Sequence, residues 1–454
     1  MWRRDMLFRE IMEFLVRWKN NPEKKALLIT GARQIGKTYI VRAFGKEYYE
    51  HFVEINMITE PKAMLIFEGS LDADTLISNI TAYTRRPLIP GKTLIFFDEI
   101  QECPNARTAI KFLVEDGRFD YIESGSLLGV NYKEVKSYPV GYEEQLQMYP
   151  LCFREFAIAL GVQHQTFELL EKCYKNKTRV SDVIHQKMLE LFQYYIIVGG
   201  MPAAVWQFVQ THDIGDVIRV QKDILNLYRQ DISKYALRDK TKIKDIFDNI
   251  PSQLNNENRR FLLSSLTASA RMERYQESFL WLSDAGVALP CYNITEPKAP
   301  LQLSKKSNLF KLFLSDTGLL CAASMENVQF DILKGNLSIN MGSILENVFA
   351  QQFNKKGFLL YYMNKKKLGE IDFILQQGGD VVPIEIKSGN DYKKHSALNS
   401  LLLKDGWNVK QAYVFCKGNV STNNSITYMP WYMILYFLQE SHKDLKVNID
   451  IANI

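Results

Sequence analysis

Long hydrophobic runs are missing from this 454-residue chain. The most apolar stretches, "YYIIVGG" and "MILYFL", have the length of core segments, well short of the roughly 20 residues that cross a bilayer. Cysteine is sparse: six residues, Cys103, Cys152, Cys173, Cys291, Cys321 and Cys416, lie far apart with no CxxC pair. That spacing argues against a disulfide framework and a zinc ribbon, and for reduced thiols in a cytoplasmic protein. Internal repeats and low-complexity tracts are absent as well, which excludes a solenoid. Charge of one sign is not in large excess, since 56 Lys and Arg face 51 Asp and Glu for a net +5. Such mild basicity permits an anionic partner without requiring one. At the N-terminus, "MWRRDMLFREIMEFLVRW" carries charges throughout and reads as an amphipathic helix, not a signal peptide.

What is present reads as an α/β protein of several domains, because a chain this long exceeds one hydrophobic core. Four pieces are expected, at residues 1–155, 156–240, 241–335 and 336–454. In the first, "KALLIT", "FVEINM", "KTLIFFDE" and "FDYIES" are strands separated by helical segments, the pattern of a parallel sheet covered on both faces. The second is helical and broken at "GGMP" (199–202). Two helices followed by a possible hairpin make the third winged-helix-like, and the fourth mixes a helix with strands at 358–363, 370–376 and 381–387.

"GARQIGKT" (31–38) follows a strand and opens a helix, with the G-x-x-x-x-G-K-[ST] spacing of a phosphate-binding loop. Its glycines let backbone N–H groups face the phosphates, and the helix N-terminus adds a favourable dipole. Gly31, Ala32, Arg33, Gln34, Ile35, Gly36, Lys37, Thr38 and the following Tyr39 are therefore the candidate ATP-binding set. Lys37 is suited to the β- and γ-phosphates and Thr38 to Mg²⁺. In "LIFFDE", Asp98 ends an apolar strand as a second Mg²⁺ ligand through water, and Glu99 is placed to polarise the attacking water. Ser124, in "YIESGS", is a candidate partner for the γ-phosphate or that water, or else a turn residue. Arg154 and Arg118 are candidates for a completing arginine, which often comes from a neighbouring subunit.

Taken in order, "GARQIGKT", "LIFFDEIQ", "YIESGS", "YPLCFREF", "GGMP", "YRQDISKY", "IPSQLNNENRRF", "WLSDAG", "LFLSDTGLL", "GSILENV" and "EIDFI…PIEIKSG" cover almost the whole chain. This set resembles prokaryotic AAA+-type ATPases that carry a C-terminal domain of unknown function, itself similar to restriction endonucleases. The resemblance implies a P-loop ATPase core using ATP and Mg²⁺, helical and winged-helix middle parts, and a nuclease-like end. One departure is Gln34, where relatives more often have a second basic residue after Arg33; Lys37 and Thr38 are untouched.

At that end, Asp372 in "EIDFIL" precedes Glu385 in "PIEIKSG" by thirteen residues, with a turn expected at Gly378–Gly379. Glu-x-Lys is uninformative alone, since it recurs at Glu23–Lys25, Glu60–Lys62, Glu134–Lys136 and Glu296–Lys298. In a metal nuclease Asp372 and Glu385 would ligate Mg²⁺ with the Ile386 carbonyl, Lys387 would orient water, and Glu346 would add a helical carboxylate. The competing expectation is a charged cluster with a structural or binding role and no cleavage. "NKKKLG", "DYKKHS", "NENRRF" and "SARMERY" are candidate contacts for DNA or another nucleic acid, and self-association is a further expectation.

Overall fold

The computed structural model describes residues 7–126, 138–236, 239–256, 259–267, 270–324, 341–407 and 409–439. Five strands, β1 (Ala26–Gly31), β2 (His51–Asn56), β3 (Thr93–Asp98), β4 (Asp120–Ser126) and β5 (Glu143–Gln147), form a parallel sheet in the order β2-β3-β4-β1-β5. All six residues of β1 and of β3 are buried, as strands covered on both faces must be. Leu27, Ile29, Leu94, Phe96 and Ile122 share a core with Met12, Leu15 and Trp18 of the helix Ile11–Lys19 and with Ile40 and Phe44 of the helix Lys37–Tyr48. On the opposite face, Leu28, Ile95, Phe97 and Tyr121 pack with Leu76, Ile80, Ala106 and Ile110 from the helices Ala73–Thr84 and Pro104–Asp116. Each such side chain contributes about 1.5–3 kcal/mol by leaving water.

β5 departs from the sequence expectation. "EEQLQ" has no apolar alternation because, among the described residues, the strand is an exposed edge paired with β1 alone. Polar side chains there also discourage pairing with a foreign strand. Glu143 and Arg107 make an ion pair at 3.1 Å that fixes this edge to the helix Pro104–Asp116.

Five helices follow, Phe153–Ala159, His164–Asn176, Asp182–Val198, Pro202–Thr211 and Ile214–Tyr235. Beyond them, the helices Lys240–Asn255 and Met272–Asp284 lead into an antiparallel pair, β6 (Ala288–Ile294) and β7 (Lys305–Leu314). The helix Met341–Lys355 then precedes β8 (Tyr361–Lys365), β9 (Gly369–Ile371), β10 (Phe373–Gln377) and β11 (Asp380–Ile386). The helix Ser396–Leu402, the strands β12 (Ala412–Cys416), β13 (Ser421–Asn423) and β14 (Ile426–Pro430) and the 3₁₀ turn Trp431–Tyr436 follow; a short helix, Thr317–Ser324, comes after β7.

Two further sheets arise, β7-β6-β8-β9 and β10-β11-β12-β14-β13. The first crosses the expected junction at 335/336, because β6 pairs in parallel with β8. The strand expected over 370–376 is broken at Asp372: β9 pairs with β8, whereas β10 pairs with β11. Gln377 and Asp380 oppose each other across the Gly378–Gly379 turn.

Candidate nucleotide site and a C-terminal charged cluster

The phosphate loop leaves β1 and enters the helix Lys37–Tyr48. Only glycine fits at position 31: φ is +149°, and a Cβ would collide with the Ile35 side chain and the Met148 carbonyl. Lys37 is buried, and its ammonium donates to the carbonyls of Gly31 (3.0 Å) and Ala32 (2.9 Å) inside the loop. Burial lowers its pKa to about 8, against the pull of Glu99 and Asp98.

Asp98, at the end of β3, is ringed by neutral polar groups. Thr38 Oγ1 lies 3.1 and 3.0 Å from its two oxygens, Asn56 Nδ2 donates at 2.9 Å, and the Ser124 hydroxyl donates to it from β4. Thr38 and Asp98 thus stand together as oxygen ligands of the kind Mg²⁺ takes. Glu99 follows in left-handed backbone at φ 56°, and Gln101 Nε2 donates to Glu99 Oε2 at 2.5 Å. A non-glycine residue held in that region marks a position fixed by its surroundings.

The loop is gripped from outside the sheet. Arg33 pairs with Asp231 at 3.1 Å, and the Tyr228 hydroxyl donates to the Arg33 carbonyl at 3.1 Å, both partners lying on the helix Ile214–Tyr235. Burial raises the Asp231 carboxyl, with Arg33 opposing. From the other side Arg9 donates to the carbonyls of Ile35 (3.0 Å) and Tyr149 (2.6 Å). Arg9 also pairs with buried Glu155 at 3.2 Å, and Lys355, from the far helix Met341–Lys355, reaches the same carboxylate at 3.2 Å. Burial would raise Glu155, yet Lys355 and Arg9 hold it near 2.

"GGMP" serves a neighbouring junction. Gly199 has φ +70°, and a Cβ there would strike the Asp316 carboxylate. The Gly200 N–H donates to Asp316 at 2.6 Å, while its carbonyl accepts from Leu151 N–H at 2.7 Å. Buried Asp316 is pushed up to about 6 by desolvation, which the N–H groups of Gly200, Leu319 and Gly318 oppose.

The arginines considered for catalysis are committed within the chain. Arg118 bonds Asp116 at 2.8 Å and Asp74 at 2.5 Å; Arg154 approaches Glu10 at 3.4 Å and lies over the Phe167 ring.

In the C-terminal half, Glu346, Asp372, Glu385 and Lys387 fall in one charged cluster, together with residues from the middle of the chain. Arg259 ion-pairs with Glu346 and lies 3.9 Å from Asp372. Lys311 of β7, fully buried, reaches Glu346 at 2.9 Å and Glu370 at 2.6 Å. Lys387 meets Glu385 at 2.8 Å, and the Ile386 N–H donates to Asp372 at 2.8 Å. The Ile386 group facing Asp372 is thus its amide. Four carboxylates (Glu346, Glu370, Asp372, Glu385) stand against three cations (Arg259, Lys311, Lys387), a deficit of one positive charge. Burial and then Asp372 push Glu385 up to about 8, so at neutral pH a proton makes good the deficit. Among the described residues, the only three His, Cys, Asp or Glu side chains whose ligand atoms converge within 4.8 Å are Glu10, Cys152 and Glu155.

Several contributors escaped the sequence reading. Tyr228 and Asp231 lie in "YRQDISKY" and Asp316 in "LFLSDTGLL", stretches noted without a role, while Arg9, Asn56 and Lys311 carry no local pattern at all. Among the described residues, no helix is long and apolar enough to cross a membrane.

A family model described as an AAA domain matches residues 23–157. Two models described as domains of unknown function, DUF8612 and DUF4143, match residues 189–329 and 341–434. No curated protein matches the chain. Similar solved structures include the Walker-type ATPase PABY2304 of Pyrococcus abyssi, at 13% identity over 71% of this chain and 97% of that one, with a TM-score of 0.42. They also include the Aeropyrum pernix ORC1 protein in complex with DNA (12% identity, 72% and 91%, TM-score 0.27). A third is the Thermotoga maritima RuvB Holliday junction branch migration motor (12% identity, 62% and 89%, TM-score 0.28). Residues 23–157, which match the AAA-domain model, contain the phosphate-loop sequence and the parallel five-stranded sheet.

Proposed function

We propose that the protein is a Mg²⁺-dependent ATPase whose nucleotide state is passed to its C-terminal half through the helix Ile214–Tyr235. The observation that carries this reading is the double contact on the phosphate loop, Arg33–Asp231 and Tyr228–Arg33 carbonyl. Lys37 leaves its loop carbonyls for the β- and γ-phosphate oxygens, and the opening N–H groups of the helix Lys37–Tyr48 face the same anion. Thr38 and Asp98 would hold Mg²⁺, which would neutralise charge on the phosphates when bound; Asn56 and Ser124 orient Asp98, and Glu99 is placed to take the proton of the attacking water. An anionic γ-phosphate beside Arg33 competes with Asp231 for that side chain, so nucleotide loading loosens the helix and hydrolysis restores it. Arg154 and Arg118 are engaged elsewhere, and an arginine from a second copy of the chain is the alternative source of the completing charge.

For the C-terminal half, the geometry favours a non-cleaving, nuclease-like scaffold that binds a partner, nucleic acid being the class its basic loops fit. Arg259 and Lys311 supply counter-charge where a metal nuclease needs open ligands. ATP hydrolysis measured with Mg²⁺, with and without single- and double-stranded DNA, tests both parts when the same reactions are run on a gel. Hydrolysis lost in Glu99→Gln with the DNA uncut is the expected result. Cleavage lost in Lys387→Ala overturns the scaffold reading, and absence of hydrolysis overturns the ATPase reading.

A further inference from the structure

A cavity of about 320 Å³ lies where the three parts of the chain meet, with Ala32 of the phosphate loop in one wall. Its size and its position between domains are those of small-molecule sites. The rest of the lining comes from the end of β5 and the segment after it, from the end of the helix Met272–Asp284, from β6, β7 and the turn between them, and from the helix Met341–Lys355 with the chain that follows it.

The composition of this lining is selective. Tyr292 of β6 and Tyr361 of β8 are register partners across the parallel pair, and Phe358 adds a third ring. Flat aromatic walls favour a planar guest, worth about 1–3 kcal/mol per stacked base in nucleic-acid-binding proteins. Amide side chains, Gln147, Gln302 and Asn354, offer both donors and acceptors to the edge of a heterocycle. Charge is one-sided: no Asp or Glu lines the cavity, and Lys305 is its one ionised residue. The Lys305 ammonium sits 3.7 Å from the Tyr292 ring centre, and among the described residues no carboxylate pairs with it. A half-buried cation supported only by a ring face is an incomplete arrangement that an anion completes.

We propose that this cavity is a second ligand site, taking a planar heteroaromatic ring that carries an anionic group, of the nucleoside monophosphate class. The ring lies against Tyr292, Tyr361 and Phe358, and the phosphate meets Lys305. The site touches the nucleotide loop twice, directly at Ala32 and through Tyr149, whose carbonyl shares Arg9 with the Ile35 carbonyl. An occupant therefore acts on the conformation of the loop itself.

The proposal does not depend on ATP hydrolysis, and its test is run in both wild type and Lys37→Ala, where the loop no longer contributes. AMP, GMP, CMP and UMP are titrated calorimetrically into the full chain, with the matching nucleosides and inorganic phosphate as controls. At least one monophosphate is expected to bind with one equivalent in both proteins, with its nucleoside and free phosphate each about tenfold weaker or worse. Lys305→Gln is expected to weaken it by about tenfold or more, and Tyr292→Leu likewise, each with an unchanged melting temperature for the ligand-free chain. Should Tyr292→Leu fail to fold, Lys305→Gln alone decides, because a half-buried side chain that lines a cavity can be replaced without opening the core. Absence of binding by all four up to about 1 mM, binding indifferent to Lys305→Gln, or equal binding of free phosphate overturns the proposal. A chain that binds ATP at the loop yet fails this test leaves the ATPase reading intact; the reverse result separates them equally.

Discussion

Two clusters in this protein place carboxylates close to a lysine, and they differ in what stands opposite the acid. Around Asp98 the partners are Thr38, Asn56 and Ser124, all neutral. Around Glu346 and Glu385 the partners are the cations Arg259, Lys311 and Lys387, and Asp372, which accepts from the Ile386 N–H, has Arg259 3.9 Å away. Neutral donors orient a carboxylate while leaving its charge for an incoming metal, whereas cations consume it. Residue type and strand position look alike in the two places; the counter-charge is the distinguishing feature, and it arrives from distant parts of the chain.

The largest expected effect comes from breaking the first cluster. Glu99→Gln should lower kcat by about 10²- to 10⁴-fold with ATP binding retained, checked by steady-state hydrolysis beside a nucleotide titration. Next, Lys311→Met removes a fully buried cation and leaves Glu370 without its cation and buried Glu346 with Arg259 alone. A loss of about 3–5 kcal/mol in denaturant unfolding is expected, with the loop residues unaffected.

A pH scan sharpens the comparison further. Glu385, pushed up to about 8, keeps in the folded chain a proton that the unfolded chain releases near its ordinary value of 4.5. Its contribution to stability therefore falls as pH rises from about 4.5 to about 8. Glu385→Gln copies the protonated form and should flatten thermal stability over that window, with little change at its acid end. Glu155 has the opposite sign: held near 2, its stabilisation is present above about pH 4.5 and lost as pH falls through 2. The smallest effect is that of Tyr228→Phe, which deletes one hydroxyl contact to the phosphate loop. It should cost about 0.5–1.5 kcal/mol and weaken the dependence of C-terminal hydrogen exchange on nucleotide.

Much of the first cluster can be read from the sequence because it is built locally. A phosphate loop needs its glycines, Lys37 and Thr38 within eight residues, and an apolar strand must end where Asp98 and Glu99 begin. β5 could not be read, since an edge strand facing water has no apolar period to display. The C-terminal cluster was half legible. Glu346, Asp372, Glu385 and Lys387 stand out by motif, and the Gly378–Gly379 turn brings the last two strands together as the spacing requires. Lys311 does not stand out, and Arg259, noted in "NENRRF" as a nucleic-acid contact, pairs instead with Glu346; ion pairs between residues 35 or 87 positions apart leave no periodic trace. For the same reason the grip of Tyr228 and Asp231 on Arg33 is invisible until the helix is placed.

Mn²⁺ binding to the intact chain, followed by the paramagnetic resonance of free Mn²⁺ with and without ATP, tests the contrast most directly. The account predicts one ion per chain that requires nucleotide, is lost in Asp98→Asn and is indifferent to Asp372→Asn. Tight Mn²⁺ binding without nucleotide that disappears in Asp372→Asn would contradict it.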